Sequence, residues 1–307
     1  MPPPTVREVF GYKVLAQIGE GARSQLYAVQ EPKSKQVWAL KHVIKSSEKD
    51  QRFLDQVEIE HQVGSKLSHS GIRGVHKLLK ARRLFKIHEV ALVLELVDAP
   101  SLDLRLPRSG VEAVRIFVGV ARALEHMHQH GFVHSDIKPT NIMVLDDLGV
   151  KLIDLGQACP VGTVKKRIQG TPGYMAPEQA HREAVTVATD IYNFGATMYW
   201  TLVGEVIPTA LPPRDSRGTL VTGALDASQI KPPVPPHVKN SMVHPLLSRI
   251  IVDCVRVAPA DRPQSIGEVA HRLERLLELL QMQPDGLPFE RVSGAMATVA
   301  AAESWDF

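Results

Sequence analysis

The sequence predicts an α+β protein: a smaller strand-rich region with one helix, followed by a larger, mainly helical region. Three observations carry this. Short apolar stretches broken by turn residues fill the first hundred residues. From about Val111 apolar residues recur at helical spacing. A length of 307 residues allows one or two domains with a large buried core.

In the first region, "YKVLAQIGEGARSQLYAVQE" is two apolar stretches around a Gly-containing turn, a hairpin signal. "QVWALKHVI" alternates, which puts Val37, Ala39, Lys41 and Val43 on one face. "QRFLDQVEIEHQVGSKL" has helical spacing, with Phe53, Val57 and Val63 near one stripe, and "VALVLELV" closes the region as a strand.

In the second region, "VEAVRIFVGVARALEHMHQHG" carries a wide apolar stripe and ends at Gly131, a candidate C-cap. "NIMVLDDLGVKLIDLG" reads as another hairpin. "TDIYNFGATMYWTLVGE" is apolar on most sides, which for a helix means burial. Ser265 and Glu268 form an S-x-x-E capping box before a helix whose stripe is Leu273, Leu276, Leu277 and Leu280. Two segments fall outside this pattern. Residues 208–236 hold seven prolines and read as an extended surface loop or a docking site for a proline-reading domain. Residues 284–307 read as a mobile tail, in which Trp305 and Phe307 could dock on a groove of the same or another chain.

Composition excludes several classes of function. The chain is 44% hydrophobic and 22% charged, ordinary for a globular protein. A formal charge of +3 gives no argument for nucleic acid. The N-terminus lacks the layout of a secretion signal, and no apolar run reaches spanning length. Cys159 and Cys254 are the only cysteines, which fits a reducing compartment, so the expected location is cytoplasmic.

The residues that could carry chemistry begin in the first hairpin. Gly19 and Gly21 of "GEGARS" let backbone approach phosphates, although glycines also serve ordinary hairpin turns. Lys41 is either a solvated strand residue or a phosphate ligand, and the small Ala39 beside it leaves room for a flat base. A buried lysine needs an anion. Glu58 and Glu60 are the candidates, and two residues apart on a helix they point about 200° apart, so one of them reaches Lys41. In "HSDIKPTN", Asp136 could accept a proton from an attacking hydroxyl, Lys138 could steady a phosphoryl group, and Asn141 could hold a metal ion. Asp154 in "IDLG" is a second metal candidate, since Asp and Asn oxygens are the hard ligands Mg²⁺ prefers. His126 and His130 have i, i+4 spacing that could bind a metal, but histidines at a helix end also suit its dipole.

D-x-K-P-x-N, a hairpin and then D-x-G, together with "WALK", "MAPE", "DIYNFG" and "ADRP" in order, resemble a eukaryotic-type protein Ser/Thr kinase catalytic domain of bacterial style. The resemblance runs from Gly19 to about Leu280. It implies a two-lobed kinase fold, with a lobe over residues 1–97, a lobe over 98–283, and ATP in the cleft between. It selects Glu60 over Glu58 as the partner of Lys41, and it pairs Arg262 with Glu178. It implies catalytic roles for Asp136, Lys138, Lys41 and Glu60, and Mg²⁺ at Asn141 and Asp154. Nucleotide contacts would come from Ile18, Gly19, Glu20, Gly21, Ala22, Arg23, Ser24, Leu26, Ala39, Lys41, Glu95 and Val97. Thr171 of "GTPGY" would brace Asp136 and Lys138.

Three positions depart from the family's pattern. Ser24 replaces a third glycine, Leu155 replaces a phenylalanine, and Ser135 replaces the arginine that often precedes the catalytic Asp. That arginine normally receives an activation-segment phosphate. Here the segment from Gln157 to Gly170 offers one hydroxyl, Thr163. The expectation is an ATP- and Mg-dependent protein Ser/Thr kinase, acting on protein substrates, whose activity does not depend on activation-segment phosphorylation. "KKR", Lys165 to Arg167, would be a solvated loop face or a patch for acidic substrates. The alternatives are a nucleotide-binding pseudokinase acting as an interaction module, and a small-molecule kinase of related fold.

Overall fold

Alternating apolar residues in the first region build a six-stranded antiparallel sheet. Its strands are β1 (Glu8–Val9), β2 (Tyr12–Glu20), β3 (Ser24–Gln30), β4 (Val37–Ile44), β5 (Val75–Arg83) and β6 (Lys86–Leu94), in the order β1-β2-β3-β4-β6-β5. The structure, a computed structural model, describes residues 8–21, 23–83, 85–210 and 225–282. Period-two alternation sorts the β4 side chains. Leu40 joins Tyr12, Tyr27, Val29, Ala91 and Val93 on one face. Ala39 and Val43 join Val90, Leu92 and Leu94 on the other, where they meet Leu54 and Val57 of helix α1 (Gln51–Gly64). The expected β2–β3 hairpin forms, with two irregularities in its register. Strand β5, "VHKLLKARR", is the long strand of this sheet that patterning did not name. Its basic residues blur any period, and pairing along β6 is what makes it a strand.

The second region is helical because its caps and stripes agree. Helix α2 (Gly110–Gln129) starts where the Ser109 side chain accepts from the Glu112 N–H, 3.1 Å, and ends before Gly131, whose φ of +79° takes the left-handed position. Helix α3 (Val187–Val203) is buried on nearly every side, as its composition predicts. Helix α4 (Pro245–Cys254) and helix α5 (Ile266–Gln281) complete the set of long helices. Ser265 caps α5 by accepting from the Glu268 N–H, 3.1 Å. The reciprocal half of the expected capping box is shifted: the Glu268 carboxylate accepts from the Gln264 N–H, one residue earlier, at 3.0 Å. Short two-stranded pairs link these helices: β7 (Phe132–Val133) with β10 (Cys159–Pro160), β8 (Ile142–Val144) with β9 (Val150–Leu152), and β11 (Thr163–Val164) with β12 (Ala184–Val185).

The chain divides into two compact units. One holds the described residues up to 68, residues 72–98 and residues 154–156; the other holds 69–71, 99–153 and those from 157 onward. Among the described residues, no helix is long and apolar enough to cross a membrane. Cys159 and Cys254 are both buried thiols. The proline-rich segment is not simply a surface excursion, because the parts described are packed. Ala210 and Ile230 are buried against Met175 and Ala180, while Lys231, Pro232 and Val234 are exposed. Residues 211–224, the tail at 284–307 and Ala22 lie outside the described residues.

One ion pair locks the helical unit. Arg262 donates to both oxygens of Glu178, at 2.7 and 2.9 Å, and to the carbonyls of Ala188, Val257 and Arg256. All five guanidinium N–H groups are thereby used, with the side chain fully buried. The expected pairing of Arg262 with Glu178 is therefore made. Removing one partner of a buried pair strands the other charge, at about 3–5 kcal/mol. Arg262→Ala is expected to lower unfolding stability by that amount in urea titrations, and Arg262→Lys to recover only part of it, because an ammonium cannot form the planar fork.

Candidate functional site

In the strand-rich unit, the site grows from Lys41 in mid-β4. Its ammonium donates to Glu60 Oε2 and to Asp154 Oδ1, both at 2.8 Å. Glu60 is buried in the last turns of α1, and Asp154 sits two residues beyond β9. Burial alone would pull the lysine's pKa down, but the carboxylates of Asp154 and Glu60 outweigh it and leave the pKa raised, so the ammonium stays charged. Glu58, the rival for Lys41, turns away to pair with Lys80 at 2.7 Å. Asp154 holds a left-handed backbone, φ +62°, which costs a non-glycine residue about 1–3 kcal/mol and marks sites where side-chain aim matters.

Patterning gave no sign of a second cation in this unit. Arg73 is buried, and its Nε donates to the Glu95 carbonyl at 2.9 Å. Burial pulls its pKa below the usual value, against the opposing pull of Glu60, Asp154 and Glu95. Gly74 N–H donates to the Glu95 carboxylate, also at 2.9 Å. Glu95, expected at the nucleotide, is thus tied through backbone and side chain to residues 73–74. Nothing in a lone arginine between two glycines distinguishes it from a surface residue.

The other expected nucleotide residues occupy a range of settings. Ala39 is fully buried opposite Leu94 in the ladder. Ile18, Glu20 and Gly21 are exposed, while Gly19, Ser24, Leu26 and Val97 are half-buried. The Gly21 N–H donates to the Ser24 carbonyl at 2.7 Å, which closes the turn, and Arg23 reaches Asp50 at 3.5 Å. Ala22 lies outside the described residues.

In the helical unit, the site begins with Asp190 in the first turn of α3. Its fully buried carboxylate accepts from the backbone N–H groups of His134 and Ser135, each at 2.8 Å, and from the His128 ring at 2.9 Å. Burial would raise its pKa, but these donors hold it below the ordinary value. With residues 134 and 135 clamped, Ser135 takes φ +64° and the next residue is aimed. Asp136 Oδ1 accepts from the Thr171 hydroxyl at 2.8 Å, and the Lys138 ammonium donates to that hydroxyl at 2.8 Å while standing 3.1 Å from Asp136 Oδ2. The brace expected of Thr171 is therefore present. Asn141 donates its side-chain N–H to the Asp136 carbonyl, 2.9 Å, which points its Oδ1 away from that carbonyl. Pro139 opens the short turn Pro139–Asn141 that brings Asn141 back to Asp136.

One expectation needs correction. Lys165 does not belong to a solvated "KKR" face: it is half-buried and its ammonium donates to the Gln157 carbonyl, while Lys166 is exposed. His126 and His130 lie side by side at the end of α2. Their rings are tilted by 41° with centroids 4.2 Å apart, and the His69 ring lies 5.1 Å from that of His126. Burial, then the neighbouring imidazoles, lower the His126 pKa. Among the described residues, no three His, Cys, Asp or Glu side chains gather as a metal cage.

A family model described as the protein kinase domain matches residues 12–273. Among curated proteins, the chain is 30% identical over 288 residues to a probable serine/threonine-protein kinase PknB of Corynebacterium glutamicum, covering 86% of this chain and 42% of that protein. It is 28% identical over 273 residues to a probable serine/threonine-protein kinase of Clostridium acetobutylicum, covering 86% and 40%. It is 27% identical over 277 residues to the serine/threonine-protein kinase PknB of Mycolicibacterium smegmatis, covering 87% and 43%. The chain thus spans about two fifths of the length of these relatives. A strand-rich unit with one helix and a mainly helical unit agree with the two-lobed protein kinase fold expected from the sequence.

The Asp190 clamp can be tested directly. Asp190→Ala orphans two buried N–H donors, each costing about 1–3 kcal/mol, so stability should fall by about 2–6 kcal/mol in urea titrations. Because the folded pKa is depressed, the clamp's contribution is present above the unfolded carboxylate value of about 4 and is lost as pH falls through the folded value. The wild type should therefore lose more stability on acidification than Asp190→Ala does.

Proposed function

The chain belongs to the protein kinase domain family, and from that premise we propose that it transfers the γ-phosphoryl group of ATP to serine or threonine hydroxyls of protein substrates. The names of the relatives, all serine/threonine-protein kinases, support this choice of acceptor. The observation that carries it is the Asp136–Thr171–Lys138 arrangement, a buried carboxylate with an ammonium 3.1 Å away and one hydroxyl bridging both.

Asp136 orients the acceptor hydroxyl and receives its proton. One of its oxygens takes the Thr171 hydrogen bond, which fixes the direction in which the carboxylate faces. Lys138 supplies positive charge to the transferred group from a position that Thr171 sets. Lys41, kept charged by its two carboxylates, is assigned to the α and β phosphates, and Glu60 holds it in place. The contacts of Ile18 to Ser24, Leu26, Ala39, Glu95 and Val97 with the nucleotide belong to the same proposal, as does a lobe boundary between residues 97 and 98.

The donor chemistry fits Mg²⁺. Asn141 has its amide nitrogen engaged and so presents an oxygen, and Asp154 presents a carboxylate that is 43% exposed. These two residues would hold the metal, and the bound ion would neutralise phosphate charge. With no arginine at position 135 to receive a phosphate, activity is independent of activation-segment phosphorylation. Thr163, the segment's one hydroxyl, instead donates to the Pro160 carbonyl at 2.6 Å.

The test is incubation with Mg·ATP, followed by intact mass and phosphopeptide mapping, with a generic protein substrate alongside. The wild type should gain or transfer phosphate on Ser or Thr. Asp136→Ala should be slower by about 10²–10⁴-fold, while still showing a thermal shift with the nucleotide. Thr163→Ala should keep most of the activity. A wild type that neither gains nor transfers phosphate would refute the kinase reading; loss of most activity in Thr163→Ala would refute independence from phosphorylation.

A further inference from the structure

The exchange at position 135 puts a short, neutral side chain beside a pair of buried acids. Ser135 is 1% exposed, and its hydroxyl lies 3.7 Å from the Cys159 thiol. Around it stand the buried carboxylates of Asp136 and Asp190. A buried carboxylate favours nearby cations and donors; Lys138 stands 3.1 Å from Asp136 and the His128 ring bonds Asp190, while position 135 adds no charge.

A cation arrives from further along the chain. After Gln157 the backbone pairs Cys159 with Val133, turns at Gly162 with φ +86°, and pairs Thr163 with Val185 and Val164 with Ala184. The next residue, Lys165, doubles back. Its ammonium donates to the Gln157 carbonyl. Asp136 and Asp190 are the carboxylates that act on its charge. Burial lowers its pKa, and Cys159 and these two acids oppose that pull. Gln157 in turn donates its side-chain amide to Asp136 Oδ2 at 3.4 Å. A chain of contacts therefore runs from Lys165 through Gln157 to the carboxylate of Asp136.

We infer that Lys165 is a positioning residue for phosphoryl transfer: a cation supplied by the segment itself, whose bond to the Gln157 carbonyl holds the segment and Gln157 against Asp136 without a phosphate. The inference rests on the kinase reading, and it gives a physical cause for independence from phosphorylation. An arginine at position 135 would place a second cation beside Lys165 and require an anion between them. With serine there, one lysine suffices. The neighbouring Lys166 is exposed and carries no such role.

The experiment compares wild type, Lys165→Met and Lys165→Arg in steady-state phosphorylation of a generic protein substrate with Mg·ATP, and in limited trypsin cleavage after Lys166 and Arg167. Misplacing a reacting group by about 1 Å costs on the order of 10²-fold. Lys165→Met should therefore lose about 10–100-fold in kcat, with KM for ATP and the melting temperature little changed. It should also be cut faster after Lys166 and Arg167, and Lys165→Arg should recover much of the rate and the protection. Wild-type kcat in Lys165→Met, or a loss that appears in KM for ATP instead of kcat, overturns the inference. So does unchanged cleavage. A wild type without any transferase activity strikes the kinase reading itself, while the cleavage comparison still decides whether Lys165 pins the segment.

Discussion

A carboxylate removed from water must find donors, and the helical unit is arranged around one that takes three of them. Asp190 is fully buried where α3 begins, and it takes two backbone N–H groups and one imidazole. Those two N–H groups belong to successive residues, so both must face the same way. That requirement forces the backbone at Ser135 into a left-handed turn, a conformation that a serine would not adopt unaided. The direction of Asp136, the return of Asn141 to the Asp136 carbonyl and the reach of Lys138 to Thr171 all follow from that bend. The clamp comes from a packed helix, not from the loop it fixes, so the loop inherits the rigidity of the core.

The same rule, each buried charge with its counter-charge, recurs across both units with different consequences. Arg262 uses every N–H it has, which suits a residue that only needs to stay in place. Lys41 is shared between two carboxylates, one buried and one 43% exposed. The exposed partner, Asp154, keeps contact with solvent, so its carboxylate can accept other cationic partners at a smaller desolvation cost than Glu60 would incur. A fully satisfied pair holds structure; a pair with one open member can take part in chemistry.

Local chemistry was legible in the sequence. The spacing of Asp136, Lys138 and Asn141 places three groups on one loop of eight residues, and no tertiary knowledge is needed to see them meet. The caps at Ser265 and the stop at Gly131 are equally local. Lys41 was legible as a strand residue that would need an anion, but the choice between Glu58 and Glu60 came from resemblance, because helical geometry says only that the two diverge. Strand β5, Arg73 and Lys165 were not legible. A basic strand, a lone arginine and a lysine in "KKR" all look solvated in one dimension, and only distant residues decide whether a cation is buried. Arg73 is enclosed by Glu95, 22 positions away, and Lys165 by a backbone that reverses twice within eight residues.

Ser135 and Lys165 are best understood together. A serine for an arginine, taken alone, removes a positive charge from beside two acids and should loosen them. The surroundings keep their cations, however: Lys138 on the loop stands 3.1 Å from Asp136, and Lys165 on the segment that follows reaches the Gln157 carbonyl. The difference lies in what each arrangement requires. Under the role proposed for Lys165, an arginine at position 135 would need something anionic to order the segment, whereas a lysine on the segment ties the segment down directly. The hydrogen bond from Lys165 to the Gln157 carbonyl carries that tie to the site, because Gln157 also touches the Asp136 carboxylate. On the proposed reading, where the positive charge resides along the chain sets whether order must be supplied from outside.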